Sequence, residues 1–342
     1  MTGFILSAAI NDIAIYLGAM FAGFIGLYFG AEWLIEGASQ IARKLGISPW
    51  VVGMTIVAFG TSLPEFVVSF TSAISTPPNP GICIGNILGS NICNIFLIMG
   101  LTYMIKAPKL PFSNIKFDYF MMLFATFLLL GLGYYTAITQ MKILPGELNR
   151  VGGIVMLTLM FLYTFYLVKW GSSTTEESGT APVQKNILLL LLLILAGLGL
   201  LIVSAKILLY GAIGCAQIMG ISDLVIGGTI VAVGTSMPEL FTSVIAAAKG
   251  KPEISIGNIL GSNIFNILFI LGFVGTITNV PLDTQALVEQ VPLFIFSALC
   301  FGGALMKKSG VGRKTGFFFL VCYVVFVLIC TRAIDLSRFY TP

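Results

Sequence analysis

Two glutamates in strongly apolar surroundings are the residues most capable of chemistry. Glu65 ends the run Val57-Ala58-Phe59-Gly60-Thr61-Ser62-Leu63-Pro64-Glu65, and Glu239 ends a near copy, Val231-Ala232-Val233-Gly234-Thr235-Ser236-Met237-Pro238-Glu239. A second pair of segments, Gly85 to Ile95 and Gly257 to Ile267, differs only in Cys93 against Phe265. Ala58, Thr61, Ser62 and Glu65 fall at i, i+3, i+4 and i+7, one face of a helix, and Ala232, Thr235, Ser236 and Glu239 repeat the spacing. Ser90 and Asn94 are i and i+4, as are Ser262 and Asn266. Pro64 and Pro238 have no N–H, which deprives the carbonyls of Gly60 and Gly234 of their helical donors. The pooled carboxylates, hydroxyls, carboxamides and carbonyls are hard oxygen ligands, suited to Ca²⁺ and Na⁺ rather than to transition metals, which prefer imidazole or thiolate. Two carboxylates match the charge of one Ca²⁺, and several Na⁺ ions could occupy the same space.

The elements that must position these groups are membrane helices. Of 342 residues, 57% are apolar and 9% charged, far below the share of about 25% that a soluble domain carries. Hydropathy and breakers place ten spans, near 13–38, 49–75, 82–105, 117–138, 150–168, 186–210, 223–248, 255–279, 290–306 and 315–332. The fold class is therefore an all-α integral membrane protein. The polar stretch 171–184 is a short cytoplasmic linker between a first five-helix unit (1–170, its motifs in 51–100) and a second (185–342, its motifs in 225–272). An odd number of spans in each unit makes the second copy enter the membrane from the other face. Such an inverted repeat is an architecture of secondary transporters, with a site expected where the copies meet near the midplane.

Loops after spans 1, 3, 5, 7 and 9 hold thirteen Lys and Arg residues, from Arg43 to Lys314, against Lys142, Arg150, Arg332 and Arg338 on the other side. That bias predicts both termini on the non-cytoplasmic face of a cytoplasmic (inner) membrane. Met1 to Ala9 lacks a basic segment and reads as the approach to span 1, not as a signal peptide. The chain has no histidine, which removes Ser-His catalysis and His-ligated zinc, and no P-loop motif, so the lipid bilayer and small ions are its expected partners, without nucleotide or nucleic acid. No cofactor, enzyme activity or obligate protein partner is implied. The six cysteines lie in apolar runs without metal-ligand spacing and read as small hydrophobes.

Plainer readings compete. A helix broken by proline and lined by small residues is often a packing device, and Gly85, Gly89, Gly257 and Gly261 fit that role. For Asn91 and Asn263 an intramembrane hydrogen bond is the expectation, rather than ion coordination. Glu32 and Glu36 are expected at the interface near Arg43 and Lys44, with Lys206 snorkelling to the opposite interface. Asp118, Glu147, Glu253, Asp283 and Glu289 are expected as solvated loop charges.

Gly-Thr-Ser-Leu-Pro-Glu with Gly-Asn-Ile-Leu-Gly-Ser-Asn-Ile-x-Asn, present twice, resembles the two α-repeats of the cation/Ca²⁺ exchanger superfamily, and most of all its short prokaryotic Na⁺/Ca²⁺ exchangers. The motifs cover about a quarter of the chain. The resemblance implies an ion site lined by Thr61, Ser62, Glu65, Ser90 and Asn94 from one repeat and by Thr235, Ser236, Glu239, Ser262 and Asn266 from the other, with backbone carbonyls from Ala58 and Ala232. It also implies alternating access, in which spans 1 and 6 slide across a fixed core while Na⁺ and Ca²⁺ compete for overlapping ligands. Proton-coupled Ca²⁺ exchangers typically carry Gly-Asn-x-x-Glu where this chain has Gly-Thr-Ser-x-Pro-Glu, which favours Na⁺. H⁺/Ca²⁺ antiport with the same glutamates is the nearest alternative, and a passive cation channel a more distant one. Glu65 and Ser90 are 25 residues apart and Glu239 and Ser262 are 23 apart, the two extra residues falling in the loop 76–80. Cys93 beside Asn94 is expected to make the site thiol-sensitive.

Overall fold

The computed structural model describes residues 2–76, 81–107, 110–139, 146–171, 186–219, 230, 232–282, 290–307 and 311–330. Helix α1 (Thr2–Leu45) ends where Gly46 takes a positive φ of 66°, a conformation that suits only glycine well. Ser48 then caps the next helix through its Oγ, and Pro49 opens that helix where a missing N–H costs nothing. Gly250, at φ 72°, and Pro252 make the same kind of reversal later in the chain.

Between these reversals lie the motif helices. The first is α2 (Pro49–Val52), a π-helical turn (Gly53–Val57), α3 (Ala58–Thr61) and, after Ser62, α4 (Leu63–Ile74). Pro64 sits in the first turn of α4, and the two parts of this span are bent by 46°. Next come α5 (Gly81–Cys93), a π-helical turn (Asn94–Ile98) and α6 (Met99–Lys106), which run as one element. Helices α7 (Phe112–Thr139) and α8 (Arg150–Trp170) follow, then α9 (Ile187–Ile218). The second motif set is α10 (Ala232–Thr235), α11 (Met237–Ala248), α12 (Pro252–Phe265), a π-helical turn (Asn266–Leu271) and α13 (Gly272–Ile277), with α14 (Val291–Met306) and α15 (Arg313–Cys330) closing the described chain. Two short strands, β1 (Glu147–Leu148) and β2 (Val280–Pro281), pair antiparallel and tie two inter-helix loops together.

Among the described residues seven helices are long and apolar enough to cross a membrane, the bent pair α2–α3/α4 makes an eighth, and α11 and α14 are shorter apolar helices. Residues 223–229 and 231 of the expected span at 223–248 and the linker at 172–184 lie outside the described residues. Helices α1 and α9 run past the expected ends at 38 and 210. Gly211 and Gly214 do not break α9, because they lie against Tyr16 and Met20 of α1 where a side chain would not fit.

Two apolar clusters form. One lies within the bundle of motif helices with α7, α8, α14 and α15; the other joins α1 to α9 and reaches only the bundle's near edge at Val52, Val57, Ile245, Ala246 and Ile254.

The charges bring one correction. Asp118 is not a solvated loop charge: it is 4% exposed and accepts from the Trp50 indole N–H at 2.9 Å and the Tyr163 hydroxyl at 2.6 Å, pinning α2, α7 and α8 together. Buried aspartate is tolerated here because both donors reach it. Glu32 and Glu36, expected at the interface near Arg43 and Lys44, are partly exposed and pair with Lys249 and Lys251 across the reversal between α11 and α12, the second pair at 3.5 Å.

Candidate ion-binding site

The two broken helices bring their glutamates to one buried place. Ser62 and Ser236, at the breaks, have near-equal backbone angles (φ −84°, ψ 7° and φ −87°, ψ 9°), and each is followed by a helix whose first turn contains proline and glutamate. A carboxylate in the first helical turn faces the positive end of the helix dipole.

Hydroxyls of one motif set serve the carboxylate of the other. Ser62 donates to Glu239 Oε1 at 2.9 Å, and Ser236 donates to Glu65 Oε1 at 3.2 Å. Ser90 also donates to Glu65 Oε1, at 3.1 Å, and lies 3.2 Å from Ser236 Oγ. The counterpart of Ser90 departs from this symmetry: Ser262 donates to the Ala58 carbonyl at 3.5 Å. Thr61 Oγ1 and the Ser62 N–H use that carbonyl as well, and Thr61 also meets Asn258 Oδ1 at 3.0 Å. Glu65 and Glu239 are each 1% exposed, and Thr61, Ser62, Ser90, Asn94, Ser236, Ser262 and Asn266 are all buried. Thr235 is only half-buried. Thr235 begins the break with Ser236, while the side chain of Ala232 lies outside the described residues.

Four oxygens in this region are buried without a hydrogen-bond partner among the described residues: Oε2 of Glu65, Oε2 of Glu239, and Oδ1 of Asn94 and of Asn266. Unpaired buried polar atoms are costly in an apolar interior, and these are the atom types that bind a hard cation. Among the described residues no cluster of three or more Cys, Asp or Glu could hold a metal ion. An ion here would therefore need carboxamide and hydroxyl oxygens beside the two carboxylates.

Some residues that shape the site carried no separate signal in the sequence. Asn86 donates to the Glu65 carbonyl at 3.1 Å and to Ser69 Oγ at 2.9 Å; Asn258 does the same for the Glu239 carbonyl at 3.4 Å and Ser243 Oγ at 2.9 Å. Each asparagine thus fixes the first turn that bears a glutamate. Their repetition in both motifs was the one available clue. The π-helical turns begin at Asn94 and Asn266 themselves, and such turns often mark functional positions. Asn91 and Asn263 make hydrogen bonds, as expected of them.

Packing separates the four motif glycines. A Cβ at Gly261 would lie 2.7 Å from Ala58 Cβ and from the Met54 carbonyl, and one at Gly257 3.2 Å from the Trp50 carbonyl. Gly85 and Gly89 meet no such close neighbour among the described residues; the segment matching Trp50 to Val57, around 224–231, lies almost wholly outside them. Cys93 is 2% exposed, so in this arrangement it is not open to thiol reagents.

Comparison with known proteins agrees with this geometry. The family model described as "Sodium/calcium exchanger protein" matches residues 15–169 and 189–332. The inner membrane protein YrbG of Escherichia coli is 31% identical over 86% of this chain and 91% of its own length. The sodium/calcium exchanger MaX1 of Methanosarcina acetivorans is 29% identical over 94% and 98%. A solved structure of the sodium-calcium exchanger NCX_Mj, soaked with zero Na⁺ and Ca²⁺, superposes with a TM-score of 0.74 at 32% identity, covering 92% of this chain and 98% of that one.

Proposed function

Because the chain belongs to the sodium/calcium exchanger protein family, we propose that this multi-pass membrane protein is a secondary antiporter that exchanges Na⁺ for Ca²⁺ and extrudes Ca²⁺ from the cytoplasm. The observation that carries the reading is the pair of buried glutamates, each hydrogen-bonded by a serine of the other motif set and each keeping one oxygen without a partner among the described residues. Ca²⁺ takes six to eight oxygens. Glu65, Glu239, Asn94 and Asn266 supply four, and Thr61, Ser62, Ser90, Thr235, Ser236, Ser262 and the carbonyls of Ala58 and Ala232 are the candidates for the remainder. Two carboxylates neutralise one Ca²⁺, whereas Na⁺ ions sharing the same oxygens leave a different net charge. Since the two kinds of cargo compete for one set of ligands, loading one expels the other. Coupling follows without any cofactor or chemical step.

In this reading the chain spans the inner membrane ten times as two inverted five-helix units, with both termini on the non-cytoplasmic side. Access alternates as α1 and α9 shift against the bundle. The separate apolar cluster of α1 and α9 supports that division.

The test is uptake of ⁴⁵Ca²⁺ into proteoliposomes loaded with Na⁺, compared with vesicles loaded with choline at equal pH. Uptake restricted to Na⁺-loaded vesicles is the expected result. Uptake that ignores Na⁺ and follows an imposed pH gradient would assign the same glutamates to proton exchange instead.

A further inference from the structure

Asn91 and Asn263 stand one turn before Asn94 and Asn266 and are fully buried. A carboxamide has an oxygen end that binds a cation and an amino end that repels one, and its terminal torsion is broad, so reversing it costs little by itself. The partner found by the amino end therefore decides which end faces an ion. Asn94 gives its Nδ2 to Asn263 Oδ1 at 2.9 Å, and Asn266 gives its Nδ2 to Asn91 Oδ1 at 2.9 Å. Both bonds cross from one motif set to the other, and both leave the Oδ1 of Asn94 and of Asn266 without a partner among the described residues. From this reciprocal arrangement we infer that Asn91 and Asn263 are positioning residues, each aiming the cation-binding oxygen of the asparagine in the opposite repeat. The inference rests on the reading that this site binds Ca²⁺.

The two devices are not equally firm. Asn91 is itself held by donating its Nδ2 to the main-chain carbonyl of Asn263 at 3.2 Å, a group that cannot turn over. Among the described residues Asn263 directs its own Nδ2 at the Met122 thioether, 3.5 Å away, and thioether sulfur is a weak acceptor. Asn266 therefore presents a fixed oxygen, and Asn94 presents the one that yields more readily. Substituting Asn91 should harm ion binding more than substituting Asn263.

Equilibrium Ca²⁺ titration of the purified full chain in Na⁺-free detergent tests this without involving the coupling ion. Asn91→Leu is expected to weaken Ca²⁺ binding about tenfold, the scale set by one unguided buried amide. Placed in an Asn266→Ala background, the same change should add less than about twofold, because Asn91 acts through Asn266 and the two effects cannot add. Asn263→Leu should weaken binding less than Asn91→Leu does. Asn263→Asp keeps the acceptor for Asn94 Nδ2 and should bind at least as tightly as the wild type. Wild-type affinity in Asn91→Leu, or an undiminished effect in the Asn266→Ala background, would overturn the inference. If Asn91→Leu does not elute as a folded protein, the Asn263 pair decides: equal weakening by leucine and aspartate would overturn it. Absence of Ca²⁺ binding in the wild type would instead overturn the proposed function.

Discussion

In the motif bundle, buried polar side chains reach across helices: Ser62 to Glu239, Ser236 to Glu65, Asn94 to Asn263, Asn266 to Asn91. Between α1 and α9 many contacts are glycine against aliphatic chain and backbone, beside Tyr16 with Tyr210 and Gly26 with Ser204. A Cβ at Gly197 would lie 2.7 Å from the Leu34 N and 2.8 Å from the Gly30 carbonyl, and one at Gly30 would lie 2.9 Å from the Leu201 N. Where α9 meets the bundle, the approach is softer. Leu198 covers Gly60 and Leu209 covers Gly234, just ahead of the two helix breaks. Directional bonds define a set of ligands because each has one good geometry. An apolar seam of leucine on glycine has no such requirement, and packed helices slide across such seams in shear motions. On the proposed reading, the bundle holds the ions and the α1/α9 pair moves as a unit over it.

Substitutions can break that contrast region by region. The largest effect belongs to the bundle: Glu65→Gln or Glu239→Gln leaves a divalent ion with one buried carboxylate, and Ca²⁺ transport should fall on the order of a hundredfold or more. Insertion and elution of the variants should stay unchanged, and wild-type ⁴⁵Ca²⁺ flux in both would remove the glutamates from the site. Gly197→Ala presses on backbone that cannot step aside, so thermal unfolding in detergent should show a loss of about 1–3 kcal/mol. The Cβ of Gly60→Ala meets the end of the Leu198 side chain first. The substitution is expected to slow turnover roughly fivefold, within the range of a modestly overpacked contact, while Ca²⁺ affinity holds. An affinity loss equal to the rate loss would place Gly60 in the binding site rather than on the seam. The smallest effect is at the ion pairs of α1 with Lys249 and Lys251, which are partly solvated. Lys249→Gln should change transport rates less than about threefold, with the difference fading at high salt.

Much of this was readable from the sequence, because an exact spacing returned twice. The repeat exposed Glu65 and Glu239, the serines beside the prolines, and the asparagines one turn beyond Ser90 and Ser262. The spans followed from apolar runs longer than a bilayer is thick. What stayed hidden depends on partners far away in the chain. Asp118 looks like a loop charge until Trp50 and Tyr163 are seen to reach it. Gly211 and Gly214 look like a helix end until Tyr16 is seen against them. Asn86 and Asn258 carry no signal beyond their repetition, yet their amides hold the carbonyls of the two glutamates. A local pattern cannot report a contact made across the repeat, and the departure of Ser262 from the role of Ser90 is of that kind.

The claim that α1 and α9 move together over a fixed bundle is tested most directly by spin-label distances. In a cysteine-free background, labels replace the lipid-facing pairs Ile25 with Leu195, joining α1 to α9, and Ile25 with Val155, joining α1 to α8. Distances are measured by double electron–electron resonance under saturating Na⁺ and under saturating Ca²⁺. The account expects the 25–195 distance to hold while the 25–155 distribution shifts or splits by about one helical turn, ~5 Å. A 25–195 distance that changes as much as the 25–155 distance, or two distributions that never respond to the ions, would contradict it.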